Sequence, residues 1–152
     1  MRCARRSSCP VSVALDLLGD RWTLLVVRDL LLFGKASFGE FLASGEGIAT
    51  NILAERLKRL EHAGLVVRET QGRGIRACYA PTAKGIDLVP TLLELISWSG
   101  RHEKTAAPQA FLRRLRTERT AVEREIREQL RSRVPGTKGA AGRPRRATGS
   151  AP

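Results

Sequence analysis

Residues 47–66, GIATNILAERLKRLEHAGLV, determine what the rest of the chain can be. At about 100° per residue, Leu57 and Leu60 fall within about 40° of Leu53, so these three leucines mark the buried side of a helix over residues 48–63. Asn51, Glu55, Lys58 and His62 fall on the opposite side. The turn holding Gly45 and Gly47 leads into this helix, and Gly64 stands where a helix C-terminus favours glycine.

Working outward, Ser37 and Glu40 have the spacing of a capping box, which opens a short helix over residues 38–43. Helix, short glycine turn and helix outline a helix-turn-helix. After it, Leu65, Val66 and Val67 begin a β-rich run that is broken by Gln71, Gly72, Arg73 and Gly74 and resumes over residues 75–79, the pattern of a hairpin with a basic tip. A hairpin in that position is a wing. The expected fold class is therefore mainly α with a small β wing (α+β), a winged helix-turn-helix.

Two helices are expected upstream. Pro10 after Ser8 and Cys9 starts the first, where the missing N–H of proline is harmless, and Val13, Ala14, Leu17 and Leu18 give it an apolar stripe closed by Gly19. Trp22, Leu24, Leu25, Val26, Leu30 and Leu31 form the second, which Gly34 ends and which should run through the core. Downstream, Thr82 is placed to cap a long helix over residues 82–98, apolar on more than one side and so in need of a second partner. A further amphipathic helix spans residues 110–134, with a weak turn at Arg119. No internal repeat is present, and the element order has no room for a βαβ unit.

The 152 residues carry a formal charge of +12. Residues 1–105 contribute +4 of it and residues 106–152 contribute +8. An anionic partner fits this balance. The expected organisation is a flexible basic N-terminus over 1–8, a winged helix-turn-helix DNA-binding domain over 9–105, to which the resemblance given below adds dimerisation, the amphipathic helix over 106–134 and a disordered basic tail over 135–152. No signal-peptide core or membrane span is apparent, because Asp16, Asp20 and Arg21 interrupt the first apolar run, so a cytoplasmic location without membrane attachment is expected.

Cys3, Cys9 and Cys78 form neither a disulfide framework nor a CxxC motif. With His62 and His102 they show no metal-ligand spacing, so no metal and no cofactor is expected. GKASFG and GRGIRA lack the Lys-Ser/Thr ending of a phosphate loop, and no nucleophile-base set or carboxylate pair stands out. An enzyme is not expected.

The outer side of the helix over 48–63 is either a solvated face or a DNA-reading one, and the flanking turn and wing favour DNA. Thr50, Asn51, Ala54, Glu55 and Lys58 are the base-proximal candidates, since Asn pairs bidentately with adenine and Glu accepts from cytosine. Arg56 and Arg59 are the phosphate candidates, Arg73 and Arg76 the wing contacts, and Ser37 is included as a further DNA contact.

CPVSVALDLLGDRWTLLVVRDLL, FGEF, GIATNILAERLKRLEHAGLV and YAPTAKG together resemble the HxlR-type winged helix-turn-helix regulators of bacteria, a MarR-like family, over residues 9–101. The resemblance implies a homodimeric transcription factor on double-stranded DNA, reading a pseudo-palindromic operator. It also implies a dimer interface from the N-terminal helix and the helix over 82–98, here Val13, Leu17, Leu88, Leu92, Leu95 and Trp98. Some members use a cysteine next to proline near the N-terminus as a thiol switch, and Cys9 occupies that place. Its position before a helix, close to Arg5 and Arg6, favours a thiolate, whereas a lone cysteine is commonly a small buried apolar residue. An unidentified small molecule is the other candidate input. The chain departs from the family pattern at Ala49 in place of a capping Ser or Thr, at Pro81 in place of Leu, and at Gly72 and Gly74 in the wing.

The alternative is a basic protein that coats nucleic acid or binds proteins, with the helix over 110–134 assembling subunits and the tail supplying affinity. Removing everything after Lys104 is expected to separate the two.

Overall fold

The computed structural model describes residues 7–70 and 77–134. Helices α1 (Pro10–Leu18) and α2 (Arg21–Leu31) come first, followed by α3 (Phe38–Leu42) and α4 (Thr50–His62). A two-stranded antiparallel sheet, β1 (Val66–Glu69) and β2 (Cys78–Pro81), is succeeded by α5 (Ala83–Ile86), α6 (Val89–His102), α7 (Gln109–Thr117) and α8 (Arg119–Arg131).

Polar caps set where the N-terminal helices begin. Asp20 accepts hydrogen bonds from the Thr23 N–H (3.0 Å) and hydroxyl (2.5 Å) at the head of α2. At α3 the capping box is complete: Ser37 Oγ accepts from the Glu40 N–H, and Glu40 Oε2 accepts from the N–H groups of Ser37 and Ala36. Helix α4 starts after Ala49 without any side-chain cap, and Thr50 does not take over that role. Its far end is firm, because Gly64 at φ +69° lets its own N–H reach Glu61 O and lets Leu65 N–H reach Leu60 O, closing a Schellman motif.

Val26, Val27, Leu30 and Leu31 of α2 face Leu53, Leu57 and Leu60 of α4, with Phe41 of α3 between them. Burying each such side chain favours folding by about 1.5–3 kcal/mol. The joint between α3 and α4 is polar. Asp29, almost fully buried, accepts from Arg28 (2.7 Å), Lys35 (3.0 Å) and the Ser44 hydroxyl, and Arg28 reaches on to Glu46 (2.7 Å). This network pins the turn before α4 to α2 and so fixes the direction in which α4 points.

The sheet register pairs Val66 with Pro81, Val67 with Ala80, Arg68 with Tyr79 and Glu69 with Cys78. Ser37 bridges Cys78, and the Tyr79 N–H donates to Ala36 O (2.6 Å), so the segment before α3 lies along the other edge of β2. The second strand thus runs to Pro81, two residues past the expected end, because Ala80 and Pro81 are drawn into the core. The expected tip, including Arg73 and Arg76, lies outside the described residues.

Two expected helices are each divided in two. The helix over 82–98 is α5 and α6, since Pro90 lacks an N–H and its ring conflicts with a continuous preceding turn. Thr82 does cap α5, accepting from the Gly85 N–H (3.0 Å) while its hydroxyl donates to Gly64 O (2.7 Å). A Cβ on Gly85 would lie 2.1 Å from Leu65 O, so only glycine lets α5 dock this closely on the end of α4. The helix over 110–134 folds back on itself at Glu118 into α7 and α8, which pack on each other and on α6. This hairpin buries Leu112, Leu115, Val122 and Leu130. Leu115, Val122 and Leu130 belong to the same core cluster as α2 and α4, so cutting after Lys104 would remove core and cannot separate the two functional alternatives as expected. Arg133 completes the attachment by donating to Leu30 O (3.2 Å) and Lys35 O (3.4 Å).

Candidate nucleic-acid interface

Helix α4 presents two unlike faces. Leu53, Leu57 and Leu60 are buried, while Thr50, Asn51, Ala54, Glu55, Lys58, Arg59, Glu61 and His62 are exposed. Thr50 and Asn51 occupy the first turn, where a recognition helix meets base edges. Ala49 leaves this turn uncapped, and the Thr50 hydroxyl and the Asn51 amide make no hydrogen bond among the described residues. The His62 ring nitrogen Nδ1 lies 2.8 Å from Lys58 O, and Lys58 extends its ammonium from the middle of the same face.

Arg56 behaves differently from the expected phosphate contact. Its side chain is 15% exposed, its Nε donates to Asp20 Oδ1 (2.8 Å), and NH1 lies 2.8 Å from Glu55 Oε1. The helical angle of residue 56 places it at the border of the buried side, and the carboxylate capping α2 draws it inward. Burial alone would raise the pKa of Asp20, but hydrogen bonds from the Thr23 hydroxyl and Arg56, with the Thr23 N–H and the positive charge of Arg56, hold it at about 2. Arg59 stays half in solvent, 3.8 Å from Asp20 and donating to Asp16 O (3.4 Å). Arg56 and Arg59 therefore strap α4 to the end of α1 and the turn that follows it. Ser37 is likewise engaged internally, since its hydroxyl belongs to the cap of α3.

Arg68 was missed by the sequence reasoning. It is exposed on β1, the strand packed against α4, and its signal was a cationic residue directly after Val66 and Val67. Arg73 and Arg76 lie outside the described residues.

Cys9 is the exposed N-cap residue of α1. The backbone N–H groups of Ser12 and Val11 favour its thiolate and lower its pKa, against a small opposing effect of burial. Cys78 is half-buried in β2, while Cys3, Arg5 and Arg6 lie outside the described residues. Among the described residues no three His, Cys, Asp or Glu side chains converge as metal ligands, and no helix is long and apolar enough to cross a membrane.

Of the expected interface residues, Leu95 and Trp98 (54%) are well exposed, Leu17 less so, and Val13 and Leu88 are half-buried. Leu92 is 5% exposed and packs inside its own chain, because it falls on the side of α6 covered by the core. Val11 and Leu15 (60%) are also bare and lie outside the expected stripe of Val13, Ala14, Leu17 and Leu18, on a helix that is apolar nearly all round.

Comparison with known proteins agrees with this architecture. Residues 17–107 match the family of HxlR-like helix-turn-helix proteins. The HTH-type transcriptional regulator YvaP of Bacillus subtilis (strain 168) is 38% identical over 93 residues, 60% of this chain and 85% of that protein. The regulator sll1512 of Synechocystis sp. is 33% identical over 88 residues, 57% of this chain and 64% of its own length. Among solved structures, PA1607, described as a candidate transcription factor, superposes with a TM-score of 0.61 at 37% identity, covering 69% of this chain and 72% of that one. The reduced form of the transcriptional regulator YodB from B. subtilis gives 0.53 at 32% identity, covering 63% and 95%. The oxidized form of the redox regulator HypR gives 0.56 at 28%, covering 64% and 100%.

The fold and the bipolar α4 define a winged helix-turn-helix protein. This chain belongs to the HxlR-like helix-turn-helix family of transcriptional regulators.

Proposed function

We propose that the protein is a cytoplasmic regulator without catalytic activity that binds a pseudo-palindromic operator as a homodimer, with two α4 helices in successive major grooves about 34 Å apart. The observation that carries this is the outer face of α4, where Thr50, Asn51, Ala54, Glu55 and Lys58 stand in solvent opposite a fully buried leucine face. Asn51 and Thr50 meet bases from the first turn, and Lys58 and Arg59 approach phosphates, joined by Arg68 and by Arg73 and Arg76 of the wing. Ser37 is not included because its hydroxyl caps α3, and Arg56 because its side chain is largely buried against Asp20, unlike the half-exposed Arg59. The exposed apolar residues of α1, together with Leu95 and Trp98 of α6, supply the dimer surface.

Selection of bound DNA from a random pool at near-physiological salt tests this directly, with a two-fold-symmetric motif as the expected product. Asn51→Ala should then weaken operator binding by about 1–3 kcal/mol and relax choice at one base pair. Enrichment of no motif would instead support a general nucleic-acid coat.

Cys9 is the favoured input, supported by its exposure and lowered pKa at the head of α1. Operator release by peroxide should disappear in Cys9→Ser, and release that persists in that variant would move the sensor elsewhere.

A further inference from the structure

A recess of about 200 Å³ lies between α6 and α7, outside the DNA-reading face. Ser97, Gly100 and Arg101 line it from α6, and Gln109, Leu112 and Arg116 from α7. We propose that this recess binds a small oxyanion, a carboxylate or phosphate group carried by a compact ligand.

Its polar side chains all offer hydrogen-bond donors: two guanidinium groups, one amide and one hydroxyl. No lining residue is acidic. Gln109 and Arg116 are seven residues apart, so two helical turns bring them to one side of α7 together with Leu112. Ser97 is 8% exposed as a residue, and its hydroxyl, which has no hydrogen-bond partner among the described residues, opens to solvent in this recess. A hydroxyl so placed is free to turn its O–H toward a ligand.

The guanidinium of Arg101 lies 3.8 Å from Glu94, a loose and exposed pairing, and Arg116 has no ion pair among the described residues. Both can turn onto an anion in the forked geometry that suits carboxylate and phosphate alike. Helix α7 follows Pro108, which supplies no side-chain cap, so its first N–H groups add positive potential next to Gln109. Gly100 leaves room for the Leu112 side chain at the wall of the recess, since a Cβ there would lie 2.7 Å from Leu112 Cδ2. With liquid water taking about 30 Å³ per molecule, the volume suits a ligand the size of benzoate or inorganic phosphate. Ligand held here would brace α7 on α6 behind Leu95 and Trp98. That consequence for dimerisation rests on the proposed operator-binding function, whereas anion binding itself does not.

The test is a titration of the full-length protein with sodium benzoate and, separately, inorganic phosphate at constant pH and ionic strength, followed by calorimetry and by amide NMR shifts. Saturable binding of one anion per chain is expected, with the largest shifts at Ser97, Gly100 and Gln109. Benzoate alone would identify a carboxylate site, and phosphate alone a phosphate site. Losing one charge-assisted hydrogen bond in Arg116→Gln should weaken binding about tenfold or more, and Ser97→Ala should weaken it several-fold. Arg124→Gln on α8 should leave it unchanged. Thermal melting of each variant separates loss of binding from loss of fold. No saturable binding of either anion up to about 10 mM, or equal weakening by Arg124→Gln, would overturn the proposal.

Discussion

Replacing Asp20 by Asn keeps the size of the side chain and removes the charge that caps α2 and holds Arg56. In the folded protein Asp20 titrates at about 2, against an ordinary value of 3.8. At about 1.4 kcal/mol per pKa unit this corresponds to an upper limit of about 2.5 kcal/mol at neutral pH. The carboxylate is 28% exposed, and solvent screening reduces the expected contribution to about 1–2 kcal/mol. Since the folded-state pKa is depressed, this stability is present in full above about pH 4 and is lost as pH falls to about 2. Urea unfolding followed by circular dichroism should show Asp20→Asn less stable than the parent by about 1–2 kcal/mol at pH 7, with the gap closing toward pH 2. A gap that stays constant from pH 7 to pH 2 would show that amide geometry, not charge, causes the loss. An unchanged stability at pH 7 would refute the strut from Asp20 to Arg56.

Other expectations follow from the same geometry. Arg56→Met should destabilise the fold by about 1–3 kcal/mol and leave the salt dependence of DNA binding unchanged; a slope reduced by about one with unaltered stability would make Arg56 a phosphate contact after all. Gly85→Ala should cost more than about 2 kcal/mol by forcing α5 away from Leu65 O, and a thermal shift near zero would contradict that close approach. Leu15→Lys on the bare side of α1 should shift the chain toward monomer in sedimentation without lowering its melting temperature, and an unchanged dimer would exclude this face from the interface. Truncation after Val134 should keep operator specificity while reducing non-specific affinity, and loss of the motif would favour the coating alternative.

The helix-turn-helix was legible because its information is local. Three leucines on one helical side, a Ser-Glu capping box and glycine at Gly64 each act within a few residues, and all three operate as expected. The breaks at Pro90 and Glu118 were harder. Apolar periodicity continues across both, and only proline's missing N–H in one case and the fold-back onto α6 in the other divide the helices. The role of Arg56 was hidden because its partner lies 36 residues away, and a charged residue beside a recognition helix has the same sequence signature whether it meets phosphate or carboxylate. Asp29 with Arg28, Lys35, Ser44 and Glu46 was invisible for the same reason, since no spacing rule joins residues from three consecutive segments.

Arg133 donates to Leu30 O across 103 positions of sequence. One of the last carbonyl acceptors of α2 is therefore satisfied only by a residue just beyond α8. Bringing together residues so far apart costs chain entropy, which the buried contacts of α7 and α8 must offset. Helix α4 is specified by signals within a few residues of it, but the helix that supports it takes a partner from the far end of the described chain. The footing of α4 in this way depends on α8 and the residues just beyond it, so a change there reaches the helix-turn-helix through α2.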